Sequence, residues 1–201
     1  MAGAVILRGG VAIEDPTAMV IGFLDRYGGA VIPQASAPAS FGEADLRLAN
    51  RGGARISAAQ IAEILERRRS IERALRSLAP DASLAGPAAG VSWPALEQLF
   101  AGFADIRGVG FAKTTKALHP KRPALIPILD SVVQLYLGED DPGADAAFGE
   151  RALALVRGYK RDLDRNRVVI RAVRRELAKQ GHAVTEVRIL DLLIWTVGST
   201  G

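Results

Sequence analysis

Apolar positions in this chain recur almost everywhere at three- and four-residue spacing, and strict alternation of apolar with polar residues is nearly absent. The first rhythm puts side chains on one face of a helix and the second on one face of a strand, so the pattern predicts an all-α protein. Asp15 or Thr17 can cap a first helix that runs to Tyr27 and is closed by Gly28 and Gly29. "AVIPQASAPAS" at 30–40 reads as an extended connector, and "GEADLRLAN" as a short helix closed by Arg51, Gly52 and Gly53. Ser57 then caps what Ile61, Ile64, Leu65, Ile71, Leu75 and Leu78 predict to be the longest helix, stopped by Pro80. Further helices are predicted from Ser92 over "WPALEQLFAGFAD", after Gly110, from Asp130 to Leu137, over 144–158 and 162–180, and from Thr185 onward. This gives a bundle of eight or nine helices, with a short hairpin in the first 13 residues as the only candidate for strand.

Composition narrows the chemistry. With 201 residues, 49% of them hydrophobic, the chain can bury one core. It reads as a single domain, with an optional division into two helical lobes, about 1–90 with 181–201 against 91–180. The absence of cysteine excludes a disulfide framework, a thiol nucleophile, an iron–sulfur cluster and a thiolate zinc site. His119 and His182, the two histidines, are too few for an all-protein transition-metal site, so neither metal nor cofactor is expected. "GAVILRGGVAI" is interrupted by Arg8 and glycines, which fits neither a signal peptide nor a membrane span. A soluble, cytoplasmic protein is expected, with a monomer favoured.

Charge adds a direction. The formal net charge is +4, but its distribution is uneven. Residues 107–122 carry Arg107, Lys113, Lys116, Lys121 and Arg122 against no acid, and residues 151–179 carry ten basic residues against Asp162, Asp164 and Glu176, a balance of +7. Such clusters suit a polyanion. For 151–179 a solvated helix face of alternating charge is an equal reading.

The stretch "FADIRGVGFAKTTKALHPKRPALIPILDSVV", from Phe103 to Val133, joins three features. Gly108 and Gly110 flank Val109 in a turn between two helices. The second helix directs free N–H groups and a positive dipole end toward solvent, and Lys113 and Lys116 lie within its first two turns. Asp130 follows the apolar run "ALIPIL" and opens another helix, where an ordinary N-cap role contributes about 1 kcal/mol without any chemistry. A plain αα-hairpin accounts for the glycines equally well.

From Leu99 to Leu137 the sequence resembles the helix-hairpin-helix DNA glycosylase superfamily, whose signature is a G-(V/I)-G hairpin followed about twenty residues later by a helix-opening aspartate. Gly110 and Asp130 stand twenty apart. The resemblance implies that Gly108, Val109 and Gly110 offer backbone N–H groups to a phosphate of double-stranded DNA and that a nucleotide is flipped out of the stack. Lys113, Lys116, Lys121 and Arg122 would add charge, and Asp130 would be the carboxylate that stabilises the oxocarbenium-like sugar. Ala112 occupies the place of the Schiff-base lysine of strand-cleaving members, which implies a monofunctional N-glycosylase without lyase activity. Leu135 stands where an arginine is frequent in the superfamily. The whole chain also resembles an uncharacterised bacterial domain family of unknown function that shares the "KRP-x-LIP-x-LD" stretch. A DNA-binding or structural module that kept the fold without the chemistry is the alternative.

Three further features bear on a pocket. Asn50, Arg51 and Arg55 in "LANRGGARIS" could line it or touch phosphates, with helix capping by Asn50 as the plainer role. His119 in "HPKRP" is the one histidine near the proposed site. Arg188, Asp191 and Trp195 share a face of the last helix, where they either fasten it to the core or put Trp195 in a base-stacking pocket.

Overall fold

The computed structural model describes residues 3–27 and 36–199, and most of the connector expected over 30–40 lies outside them. Two short strands, β1 (Val5–Ile6) and β2 (Ala12–Ile13), form the expected N-terminal hairpin, with Val5 opposite Ile13 and Ile6 opposite Ala12. Asn166 holds its edge, accepting from the Ile6 N–H at 2.8 Å and donating to the Ile6 carbonyl at 2.9 Å. Arg8 anchors the turn across two carboxylates, Asp140 at 2.6 Å and Asp162 at 2.7 Å.

Ten α-helices make up the rest of the described fold. They are α1 (Pro16–Tyr27), α2 (Glu43–Arg51), α3 (Ala58–Glu66), α4 (Arg68–Arg76), α5 (Trp93–Ala101), α6 (Phe111–Leu118), α7 (Ser131–Tyr136), α8 (Phe148–Arg165), α9 (Arg167–Lys179) and α10 (Glu186–Gly198). Asp15 caps α1 by accepting from the Ala18 N–H at 2.9 Å, and Thr185 caps α10 by accepting from Arg188 at 3.1 Å. Ser57 and Gln60 cap α3 reciprocally, each side chain accepting from the other's backbone N–H.

Two boundaries differ most from the expectation. The long helix predicted after Ser57 is two, broken at Arg67 (φ −93°, ψ 5°), so α8 is the longest instead. Between Leu65 and Ile71 the sequence reads "ERRRS", and no apolar side chain is available to hold that turn against the core. Arg67 instead turns its guanidinium to the Ala104 carbonyl in the α5–α6 connection. Farther on, α8 runs through Gly158 and ends at Arg165, with Asn166 as its C-cap, several residues beyond the predicted break. Gly158 is a contact site and not a terminator: a Cβ there would collide with the Asp140 carboxylate, whose 3₁₀ turn Gly138–Asp140 lies against α8.

One apolar cluster runs from Val5 to Ile194, with Phe100, Phe103, Leu129 and Tyr159 among its fully buried members. Helix α5 packs between α4 and α8, α10 packs against α1, α7, α8 and α9, and α6 lies against α2. The last contact brings the loop after α2 beside α6.

Candidate nucleic-acid interface

The connection between α5 and α6 is built for a tight turn. Asp105 (φ 59°) and Gly108 (φ 75°) adopt left-handed backbone conformations. The positive φ favours glycine at 108, and a Cβ there would stand 2.8 Å from Nε2 of Gln60 and displace the tip of that side chain. Val109 points inward and is buried, and its N–H already donates to the Ile106 carbonyl at 3.0 Å. Gly108 and Gly110 are exposed, so two residues of the turn remain for the role that the resemblance implied for three. Gly110 is the N-cap of α6 and no side chain caps that helix, which leaves its first N–H groups without a side-chain partner.

Gln60 holds this turn from α3. Its Nε2 donates to the Arg107 carbonyl at 2.8 Å, while its Oε1 accepts from Lys113 Nζ at 2.8 Å and from the Ser57 N–H at 3.1 Å. The S-x-x-Q spacing announces the cap, but nothing local announces the bridge to a residue 47 positions away. Beside it, Lys116 Nζ donates to the Gly53 carbonyl at 3.4 Å. The "RGGAR" loop is thus laid against the hairpin helix.

That loop is shaped by Asn50, which neither caps α2 nor lines a pocket. Its amide donates to the Ile56 carbonyl at 2.8 Å and accepts from the Ile56 N–H at 2.6 Å, closing the turn between them. Gly53 (φ 78°) and Arg55 (φ 55°) are both left-handed, and for Arg55 that conformation costs about 1–2 kcal/mol. Arg51, Gly52, Gly53 and Arg55 are all exposed. Together with exposed Arg107 and half-exposed Lys113 and Lys116, they make a face with five cations, none of which forms an ion pair among the described residues.

Lys121 and Arg122 are not on that face, a correction to their expected place among the phosphate contacts. Lys121 is fully buried, 2.6 Å from Asp45 of α2, and also donates to Ser36. Arg122 is buried with its guanidinium spread over four carbonyls: Pro38 and Lys121 at 2.8 Å, Leu75 at 2.8 Å and Leu78 at 3.1 Å. The Leu75 carbonyl, in the last turn of α4, also accepts from the Leu78 N–H at 3.3 Å, and the Leu78 carbonyl lies just beyond the helix, so Arg122 closes that end of α4. His119 is buried as well. Its Nδ1 lies 2.5 Å from the Ile126 carbonyl and must be the protonated nitrogen, and burial pushes the imidazole down to about 4. A neutral, enclosed histidine is poorly placed to shuttle protons from solvent.

Asp130 caps α7. Its Oδ1 accepts from Val132 at 3.1 Å and Val133 at 3.0 Å, the geometry of an ordinary helix N-terminus. Thr115 of α6 ties the preceding segment to the hairpin helix, accepting from the Leu129 N–H at 3.0 Å and donating to the Phe111 carbonyl at 2.7 Å. A cleft of about 390 Å³ beside α7 is lined by residues that include Arg8, Ser131, Val132, Leu135 and Tyr136, and Asp130 is not among them. Leu135 is 85% exposed. Trp195 lines a separate cleft of about 480 Å³ with residues of α1, its ring edge-on to Phe23 and Tyr27. Asn50, Arg51, Arg55, His119 and Trp195 therefore do not converge on one pocket with Asp130.

The carboxylate with the most perturbed environment is Asp191. It accepts from the Ile128 N–H at 3.2 Å, fastening α10 to the run before Asp130. Burial pushes its carboxyl up to about 7, against the pull of the Arg188 charge. Its neighbour Tyr159 is buried and donates to the Val187 carbonyl at 2.6 Å. Asp191 thus has the structural role of the two weighed for the last helix.

The second basic stretch is largely neutralised. Arg151 pairs with Asp141, Arg161 with Asp140, Arg165 with Asp162, Lys160 and Arg167 with Asp164, Arg174 with Glu186 and Lys179 with Glu176. Several of these acids lie outside 151–179, so a count within the stretch overstates its free charge. Among the described residues no cluster of three or more His, Asp or Glu could hold a metal ion, and no helix is long and apolar enough to cross a membrane.

Comparison with curated proteins and with solved structures found no match for this chain. Residues 18–198 match a family of unknown function, DUF6308, which takes in every helix but the first two residues of α1. On that coverage the chain belongs to the family of unknown function DUF6308.

Proposed function

We propose that this protein is a DNA-binding module of helix-hairpin-helix type that holds the duplex backbone with the Gly108–Gly110 turn and the first turns of α6, and that it does not excise bases. The observation that carries the reading is the convergence on one exposed face of unpaired cations, uncapped helix amides and a glycine turn. Helix N-termini and lysines together suit phosphate oxygens. The excision chemistry implied by the glycosylase resemblance has less support. Asp130 spends its carboxylate on its own helix and lies outside the cleft beside it.

Binding of wild type and of a Lys113→Ala, Lys116→Ala variant to a short DNA duplex, followed across a salt series, tests the grip. Wild type should bind with a steep salt dependence, and loss of two phosphate contacts should reduce the slope of log K against log salt by about 1.8. An unchanged slope would remove the hairpin from the interface. Abasic-site formation on a panel of lesion-bearing duplexes, absent with Asp130→Asn but present with wild type, would restore the enzyme.

A further inference from the structure

The hairpin is one of two glycine turns on its face. The Arg51–Arg55 loop also has paired glycines with cations to either side, but the N–H groups of Gly52, Gly53 and Ala54 already donate to the carbonyls of Leu48, Asn50 and Ala49, so what it offers a ligand is its two guanidinium groups. It is a separate stretch of chain, fixed against the hairpin helix by the Lys116 contact to the Gly53 carbonyl and against its own far end by Asn50. Arg55 is held in a left-handed conformation that glycine would adopt more easily, yet its side chain is exposed and forms no ion pair among the described residues. Nothing in the packing of the fold calls for an arginine there.

The form of the surface limits what could bind it. The five cations of the face lie outside four well-formed clefts among the described residues. They are spread along two turns, as a polymer of phosphates would need. The aromatic rings that flank the hairpin in sequence, Phe103 and Phe111, are buried and offer no base-stacking platform. A surface that reads charge and not rings suits a duplex, whose bases are stacked inward, over a single strand.

We infer that the Arg51–Arg55 loop is a second phosphate-contacting arm, which together with the hairpin clamps the backbone of a double-stranded nucleic acid. This rests on the proposed DNA-binding reading and adds to it a contact contributed from another part of the chain.

The test compares three proteins on a short duplex and on the matching single strand across a salt series: wild type, the hairpin variant above, and Arg51→Gln with Arg55→Gly. Glycine at 55 relieves the left-handed backbone, so the loop variant should melt no lower than wild type while its duplex salt slope falls by about 1.8. The single strand should bind more weakly than the duplex to every protein. If wild type binds the duplex and the loop variant keeps its affinity and slope, the second arm is refuted while the hairpin grip stands. Tighter binding to the single strand would overturn the duplex assignment. Should wild type bind no duplex at all, the hairpin reading fails and takes this inference with it. A loop variant that melts lower is read against Arg55→Gly alone, which must still lower the slope by about 0.9.

Discussion

Between Arg107 and Arg122 five cations meet two fates. Arg107, Lys113 and Lys116 stay at the surface without an acid partner, whereas Lys121 and Arg122 turn inside, one against Asp45 and the other over four carbonyls. The residue types are the same, and the difference lies in what the neighbouring backbone leaves unsatisfied. The end of α4 and the loop before α2 present acceptors that need donors, and the "KR" pair supplies them. Around the hairpin the carbonyls have lighter partners, Gln60 and the lysine tips, so those charges remain available. Charge density along a sequence cannot separate a grip from an internal brace. The inventory of acceptors can.

The widest gap between the two groups should appear in stability. Lys121→Met leaves the Asp45 carboxylate buried without its cation and should cost about 3–5 kcal/mol, measured by urea denaturation. Lys113→Met, made on the outer group, should stay within about 0.5 kcal/mol of wild type. Equal losses from both would mean that the hairpin lysine is structural too and would break the contrast.

Much of the fold is legible in spacing and caps, because these are local. Ser57, Thr185 and Asp130 sit before apolar-periodic runs, and each caps the helix it announces. The break at Arg67 is marked in the sequence by the polar gap "ERRRS", on either side of which the apolar stripe keeps its spacing. The site was legible only in part. The Gly108–Gly110 turn and the cations of α6 can be read from a few residues, but the fates of Lys121, Arg122 and His119 depend on Asp45, Leu75 and Ile126, and those contacts are set by tertiary packing. Asn50 illustrates the same limit: a residue at a helix end invites a capping role, yet it brackets Ile56 as Asn166 brackets Ile6. For the second basic stretch, the deciding acids lie elsewhere in the chain.

The inner side should also respond to pH through two groups of opposite sign. His119 is pushed down from 6.5 to about 4, so the unfolded chain takes up its proton first as pH falls. Its share of stability is full above pH 6.5 and shrinks by about 3 kcal/mol toward pH 4. Asp191 is raised from 3.8 to about 7, and the folded protein holds its proton longer. That share is full below pH 4 and is lost as pH rises through 7, by about 4 kcal/mol. In wild type the two should largely offset between pH 4 and 6.5. Asp191→Asn removes one side, so the difference between variant and wild type should move in the variant's favour by several kcal/mol from pH 4 to 7, read by denaturation at each pH. A constant difference would place Asp191 in a more polar setting than its burial implies, and the inner side would then be less distinct from the outer one.

The smallest expected effect concerns the link between hairpin and body. Gln60 gives the Arg107 carbonyl its donor and gives Lys113 and the Ser57 N–H an acceptor, so Gln60→Ala removes three exposed or partly exposed hydrogen bonds and should cost about 1–2 kcal/mol. Gln60→Glu keeps an acceptor for Lys113, now a charged one, but sets a carboxylate oxygen against the Arg107 carbonyl. If Gln60 chiefly orders the turn, both variants should speed amide hydrogen exchange at Gly108 and Gly110 while exchange in buried α10 stays unchanged. If it chiefly serves Lys113, only the alanine variant should do so. The first outcome makes the outer cations an organised surface held by one side chain from α3; the second makes them independent charges, and the contrast with the fixed inner pair widens.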